Sequence, residues 1–213
     1  MPFSFPRVYP ILDVYAIPEI NRERFLQWLG DGLTEAGVTL LEYRNKSGDE
    51  TQLRADAALL RSAFPPGSVK LILDDRADLV EKLGFDGVHV DAGDVSPTDA
   101  RWLLASDHIV GTFGGSESLL PGILSEPVDY LSIGPVFESQ TKQSSKGQIG
   151  LEGVRKLREE AGQDPVLVAV GGITLETASA VLAAGASTVA VSAAIFRKED
   201  PLAEFRRWMA ELR

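Results

Sequence analysis

Short, almost wholly apolar runs recur along the chain, separated by longer stretches whose apolar residues fall at helical spacing. The runs predict strands over 9–12, 39–44, 69–73, 87–91, 108–112, 130–136, 166–171 and 188–193. Their lack of alternation is what a parallel sheet buried on both faces requires. Between them, Leu29, Leu33 and Ala36 repeat at helical intervals, as do Leu53, Ala57, Leu60 and Phe64. Leu175, Ala178 and Leu182 repeat likewise, and Leu202, Phe205, Met209 and Leu212 close the chain. Ser96, followed by Pro97, and Thr174 are placed to cap helices. No Pro/Gly/Ser-rich linker or shift in composition divides residues 1–213. Eight strand–helix units in one unbroken series predict a single-domain (β/α)8 TIM barrel. An open doubly wound sheet is the alternative, but eight units in 213 residues leave little room for its extra elements.

Composition narrows the function. The chain has 213 residues, a mass of 23.0 kDa and a net charge of −10. That acidity argues against a non-specific nucleic-acid or membrane-surface partner and leaves small molecules as the expected substrates. With no cysteine, disulfides and thiolate metal sites are excluded. The two histidines, His89 and His108, cannot make a His-rich metal site. No apolar run approaches the ~18 residues of a membrane span, and MPFSFPRVYP lacks the apolar segment of a signal peptide. A soluble cytoplasmic protein is expected; self-association into a homo-oligomer stays open.

In a barrel of this kind the chemistry sits at the C-terminal ends of the strands. Those ends carry Asp13; Glu42, Arg44 and Lys46; Asp74, Asp75 and Arg76; Asp91 and Asp94; and Thr112 to Gly115. The sixth strand runs through Gly134-Pro135 into a polar tract with Ser139, Thr141 and Lys142, the seventh into Gly171-Gly172-Ile173-Thr174, and the eighth into Ser192-Ala193-Ala194. Hydroxyls, backbone N–H groups and an ammonium can wrap phosphate oxygens, and the Gly-Gly turn ahead of a helix suits the same purpose. Arg44, Lys46 and Lys142 facing aspartates suit a polyphosphate with a magnesium ion. A ring of rim salt bridges and a solvated loop would be the functionless versions of the same pattern.

The segments YPILD, EYRNK, LILDDRADL, GFDGVHVDAGD, DYLSIGPVFESQTK, PVLVAVGGIT and STVAVSAAI, in this order, resemble the thiamine-phosphate synthase family and its close relatives, the thiazole tautomerases. The resemblance runs through nearly the whole chain. It implies the barrel and a magnesium-dependent transfer in which hydroxymethylpyrimidine diphosphate loses pyrophosphate and the nitrogen of a thiazole phosphate takes its carbon. By the same resemblance Arg44, Lys46 and Lys142 hold the diphosphate as the catalytic cations. Asp75 and Asp94 take Mg2+, while Ser139, Thr141 and the Gly172 N–H bind the thiazole phosphate. His89, in GVHV, is expected to be a packed structural residue.

Several positions depart from the family pattern. Glu42 stands where the family usually has Gln, Asp74 for Asn and Phe113 for Ser, all at positions implied to face the pyrimidine. After strand four the chain reads Asp91-Ala92-Gly93-Asp94, and Ala193, with Ser192 beside it, replaces a serine. Phenylalanine cannot supply a hydroxyl's hydrogen bond, so the phosphate half of the site reads as kept and the organic half as altered. Two alternatives follow: a thiazole tautomerase-like isomerase, or a non-catalytic barrel that binds a phosphorylated metabolite. Against the first, the resemblance implies that the tautomerases use a histidine after strand five, where this chain has Gly114-Gly115.

Overall fold

A computed structural model of the chain describes residues 3–138 and 147–212. Eight strands, β1 (Val8–Asp13), β2 (Leu40–Arg44), β3 (Lys70–Asp74), β4 (Gly87–Val90), β5 (Ile109–Gly115), β6 (Tyr130–Ile133), β7 (Leu167–Val170) and β8 (Thr188–Val191), pair in sequence order. All pairings are parallel, and β8 returns to β1 with Val8 opposite Val189, closing the barrel. Around it lie α1 (Arg22–Glu35), α2 (Glu50–Ala63), α3 (Val80–Leu83), α4 (Pro97–Leu103), α5 (Gly150–Ala161), α6 (Leu175–Ala183), α7 (Ala193–Phe196) and α8 (Pro201–Glu211). Among the described residues no helix is long and apolar enough to cross a membrane.

The caps read from sequence form. Ser96 accepts from Asp99 N at the start of α4, with Pro97 as its first residue, and Thr174 exchanges hydrogen bonds with Thr177 in a capping box at α6. The strand boundaries shift by more than one residue in three places. β5 runs past Thr112 to Gly115, with Phe113 opposite Ser132 and a change of register before Gly115. β6 stops at Ile133, because Gly134 turns to φ +148 and Pro135 has no N–H for the ladder. β8 stops at Val191, and the segment expected to prolong it turns into α7. The series of strand–helix units is also interrupted once. Between β5 and β6 the chain makes only a 3-10 turn, Ile123–Ser125, where Pro121, Gly122 and Pro127 leave no uninterrupted run for a helix.

Each strand is apolar on both sides because two layers pack against it. Outward residues such as Leu12, Leu41, Leu73 and Val189 meet Leu29, Leu33, Leu60, Phe205 and Trp208 of the helices. Inward, Tyr9, Leu40, Ile72, Ile109, Tyr130, Val168 and Ala190 fill the barrel, and Phe3 and Phe5 pack on them. Room for the Tyr130 ring comes from Gly111, where a Cβ would fall 2.0 Å from the ring. This plug closes the barrel below its mouth. Two residues further along the inward-facing rows of β2 and β3 come Glu42 and Asp74, opposite a neighbouring His89 on β4. Because inward positions recur every second residue, the next layer up is polar.

Candidate active site

The floor of the mouth is a hydrogen-bonded chain drawn from four strands. Tyr9 Oη donates to Glu42 Oε2 at 2.9 Å, and lies 3.1 Å from Tyr130 Oη. Tyr130 Oη in turn meets His89 Nδ1 at 2.9 Å, and His89 Nε2 is 3.5 Å from Asp91 Oδ1. The His89 and Tyr130 rings stack with centroids 5.5 Å apart. Glu42, Asp74 and His89 are all buried. Burial, reinforced by the charge of Asp74, pushes the Glu42 carboxyl up to about 7. Burial also raises Asp74, against the pull of His89 and Lys46. For His89 burial acts downward, but the Asp91 hydrogen bond and the Glu42 charge outweigh it and lift the imidazole to about 9. The sequence suggested a packed, hydrogen-bonded histidine, and the packing and bonding are there; the ring is also part of the cavity wall.

Above the floor lies a ladder of cations and carboxylates. Arg44 Nη1 meets Asp13 Oδ2 at 2.5 Å, and its Nε lies 3.5 Å from Asp74 Oδ2. Lys46 Nζ is 2.9 Å from Asp74 Oδ2 and also ion-paired with Asp75. Arg76, at the same strand end, turns outward to Glu50 and Asp78. Asp75 holds a left-handed backbone, φ +70, which a non-glycine residue adopts only under local constraint. Its N–H donates to His89 O at 2.8 Å, tying the loop to β4. Asp94 Oδ2 accepts from Asp91 N at 2.8 Å. Partial burial raises the Asp94 pKa, and the neighbouring Asp75 carboxylate raises it further. Asp75 and Asp94 therefore stand close enough to repel, a placement that a cation between them would relieve. Among the described residues no group of three or more carboxylate or histidine ligands is assembled. Magnesium typically needs only one or two protein carboxylates when substrate phosphates supply the rest, so this pair fits it.

The remaining wall is built from loops. Gly171 and Gly172 have φ +99 and +63, and a Cβ on Gly172 would lie 2.3 Å from Glu138 O. The pair thus lets the loop after β7 press on the loop after β6, with Phe137 N donating to Gly171 O at 2.9 Å. Gly172, Ser192, half-buried Phe113, Arg44 and Asp74 all line one cavity of about 770 Å3 at the C-terminal strand ends. Lys46, Asp75 and Asp94 lie outside that lining, on the rim. Ser139, Thr141 and Lys142 fall outside the described residues. Of the sequence-predicted residues that are described, every one is at the barrel mouth. Sequence reading missed Tyr9, Tyr130 and Ser132, which also line the cavity. The usable signal was the inward-facing period of two that leads from Tyr9 through Ile11 to Asp13 and from Tyr130 to Ser132.

A family model described as thiamine monophosphate synthase matches residues 8–195. The thiamine-phosphate synthase of Koribacter versatilis (strain Ellin345) is 39% identical over 190 residues, covering 89% of each chain. That of Agrobacterium fabrum is 37% identical over 190 residues, covering 88% of this chain and 82% of its own. A thiamine phosphate pyrophosphorylase structure from Pyrococcus furiosus superposes with a TM-score of 0.74 at 24% identity, over 97% of this chain and 95% of that one, which supports the barrel fold. The chain belongs to the thiamine monophosphate synthase family, a family of transferases.

Proposed function

We propose that this protein is a thiamine-phosphate synthase, joining a hydroxymethylpyrimidine diphosphate to a thiazole phosphate with release of pyrophosphate. The observation that carries the reading is the mouth of the barrel: a cavity of about 770 Å3 with Arg44 in its wall and Lys46, Asp75 and Asp94 at its rim. In an acidic protein, cations gathered at one opening are suited to a polyphosphate, and a carboxylate pair to its metal. Arg44 and Lys46 would take the diphosphate, with Lys142 joining them from the loop after β6. Lys46 would exchange its carboxylate partners for phosphate oxygens. Asp75 and Asp94 would hold Mg2+, which when bound neutralises charge on the departing pyrophosphate. Gly172, Ser192, Ser139 and Thr141 would bind the thiazole phosphate. Phe113 and Asp74 would face the pyrimidine, Phe113 offering an apolar ring face.

The isomerase reading loses support at the end of β5. A side chain at Gly115 would place Cβ 2.1 Å from Ser118 O at φ +145, and one at Gly114 would place it 2.9 Å from Leu131 Cβ. The decisive experiment is pyrophosphate release from the pyrimidine diphosphate, with and without thiazole phosphate and Mg2+. Release that needs all three is expected. Lys142→Ala should lower kcat about a hundredfold, since a lost preorganised charge contact is worth roughly 2.7–4 kcal/mol. No release under any combination would rule the synthase reading out.

A further inference from the structure

The ring of Tyr130 closes the floor of the cavity, and its surroundings are uneven. On the β5 side stands Gly111, opposite it in register, with no side chain to hold the ring. Three aromatic neighbours hold it instead. Tyr9 meets it edge-on with centroids 5.8 Å apart, His89 stacks on it at 5.5 Å, and Phe5 meets it edge-on at 5.4 Å. Tyr9 and His89 line the cavity, and Phe5 lies behind that lining. Phe5 comes ahead of β1 and is half-buried, with Phe3 edge-on against it at 5.2 Å. The backbone that carries it is fastened to β8: Thr188 Oγ1 donates to Pro6 O at 2.9 Å and Val189 N to Arg7 O at 3.0 Å. Phe5 therefore backs Tyr130 from outside the cavity.

We propose that Phe5 is a positioning residue for the reaction, acting through Tyr130. Tyr130 Oη lies 3.1 Å from Tyr9 Oη and 2.9 Å from His89 Nδ1, two hydrogen bonds that the ring can keep together only from one place. Tyr9 Oη in turn donates to Glu42 Oε2, so the polar layer of the floor hangs on where the Tyr130 ring sits. A ring that settled by about 1 Å into the space Phe5 fills would break both bonds, and a misplacement of that size away from the chemistry can cost about a hundredfold in rate. Phe5 thus sets the level of the floor. The inference rests on reading the cavity as the place of the pyrimidine, and it gives a residue outside the cavity control over how that ring is seated.

Because the chain has only two histidines, imidazole NMR reads the floor directly. His89 reports on Tyr130, and His108, beside exposed Asp107, is the control. Phe5→Ala should shift the His89 signals and leave those of His108 in place. In Tyr130→Phe, which keeps the ring and removes the hydroxyl, adding Phe5→Ala should shift His89 no further. The kinetics of pyrophosphate release should follow. Phe5→Ala should raise the Michaelis constant for hydroxymethylpyrimidine diphosphate about tenfold and leave that for thiazole phosphate within about twofold. Most of that effect should disappear in the Tyr130→Phe background, as expected of residues that act through one another. Phe5→Leu, which refills the space, should stay within about threefold of the wild type. If Phe5→Ala does not fold, Phe3→Ala, which removes the support behind Phe5, should move both readouts in the same direction. His89 signals that stay in place in the folded variant overturn the proposal. So does a kinetic loss that is equal for both substrates and persists in Tyr130→Phe, which would leave Phe5 a packing residue only. If the wild type releases no pyrophosphate, the synthase reading fails, and the His89 signals alone decide whether Phe5 positions the floor.

Discussion

Burial sets the proton affinity of Glu42, and the same physics determines how the fold responds to pH. Its folded pKa of about 7 lies above the unstructured value of 4.5, so the folded state favours the protonated form. The stabilisation this gives is fully present below pH ~4.5 and is lost as pH rises towards 7. A shift of that size corresponds to about 3 kcal/mol at ~1.36 kcal/mol per unit. Glu42→Gln removes the titration, so we expect urea unfolding to show the variant gaining on the wild type by up to that amount between pH 4.5 and 7, and by no more above it. A difference that stays constant across that range would mean the carboxyl is not held in a desolvated site. Asp56 is the opposite case, a fully buried carboxylate with every demand met. It takes Arg22 through Nε at 2.5 Å and Nη2 at 2.6 Å, the Tyr43 hydroxyl at 2.5 Å and Gln52 Nε2 at 2.8 Å. The network ties the β1–α1 connection to β2 and α2, directly beside Arg44. Asp56→Ala strands the Arg22 guanidinium, and we expect a loss of about 3–5 kcal/mol in the same unfolding measurement. Tyr43→Phe should cost about 1–3 kcal/mol, leaving the ion pair in place.

At the scale of elements, the β6 and β7 loops act as one wall, and the glycines between them are the reason. Gly172→Ala would set a Cβ against the Glu138 carbonyl at a φ of +63 that alanine resists. We expect the Michaelis constant for the thiazole phosphate to rise at least tenfold, with a smaller effect on that for the pyrimidine diphosphate; equal effects on both would argue that the glycine serves only the fold. The strands themselves were legible because each is apolar on two faces and bounded by turn residues. The same two-sided burial hid which side chains point inward. Tyr9 and Tyr130 read as ordinary core residues, and only the period of two from Tyr9 to Asp13 and from Glu42 to Arg44, set in register across the sheet, places them under the cavity. The missing fifth helix was overlooked because the regularity of the other units was extended to a segment punctuated by Pro121, Gly122 and Pro127. Arg44, Lys46, Asp75 and Asp94 were legible as strand-end charges. That Lys46 would pair with Asp74 and Asp75, and that Asp75 would take a left-handed backbone, depended on tertiary placement that no local pattern encodes.

For the molecule as a whole, a net charge of −10 has to be reconciled with the proposed diphosphate site. The structure does so by placing Arg44 and Lys46 at one end of the barrel and pairing them there with Asp13, Asp74 and Asp75. On the proposed reading, binding would exchange internal pairs for ligand pairs, and stability should record the exchange. Magnesium with inorganic pyrophosphate, present at a hundredfold excess over Kd, should stabilise the native state by roughly 2.7 kcal/mol and raise the melting temperature. Pyrophosphate alone should do less, because Asp75 and Asp94 would then repel it. Asp75 gives the sharpest variant. Asp75→Gly removes a non-glycine residue from φ +70, relieving strain on the order of 1 kcal/mol, and removes a partner of the partly exposed Lys46. We expect the variant to melt at or above the wild-type temperature without ligand, and to lose the increment from magnesium pyrophosphate. Asp94→Asn, whose backbone is unchanged, should lose the increment without the gain. If Asp75→Gly responds to magnesium pyrophosphate as the wild type does, the carboxylate pair is a structural feature of the rim, and the metal must be held elsewhere.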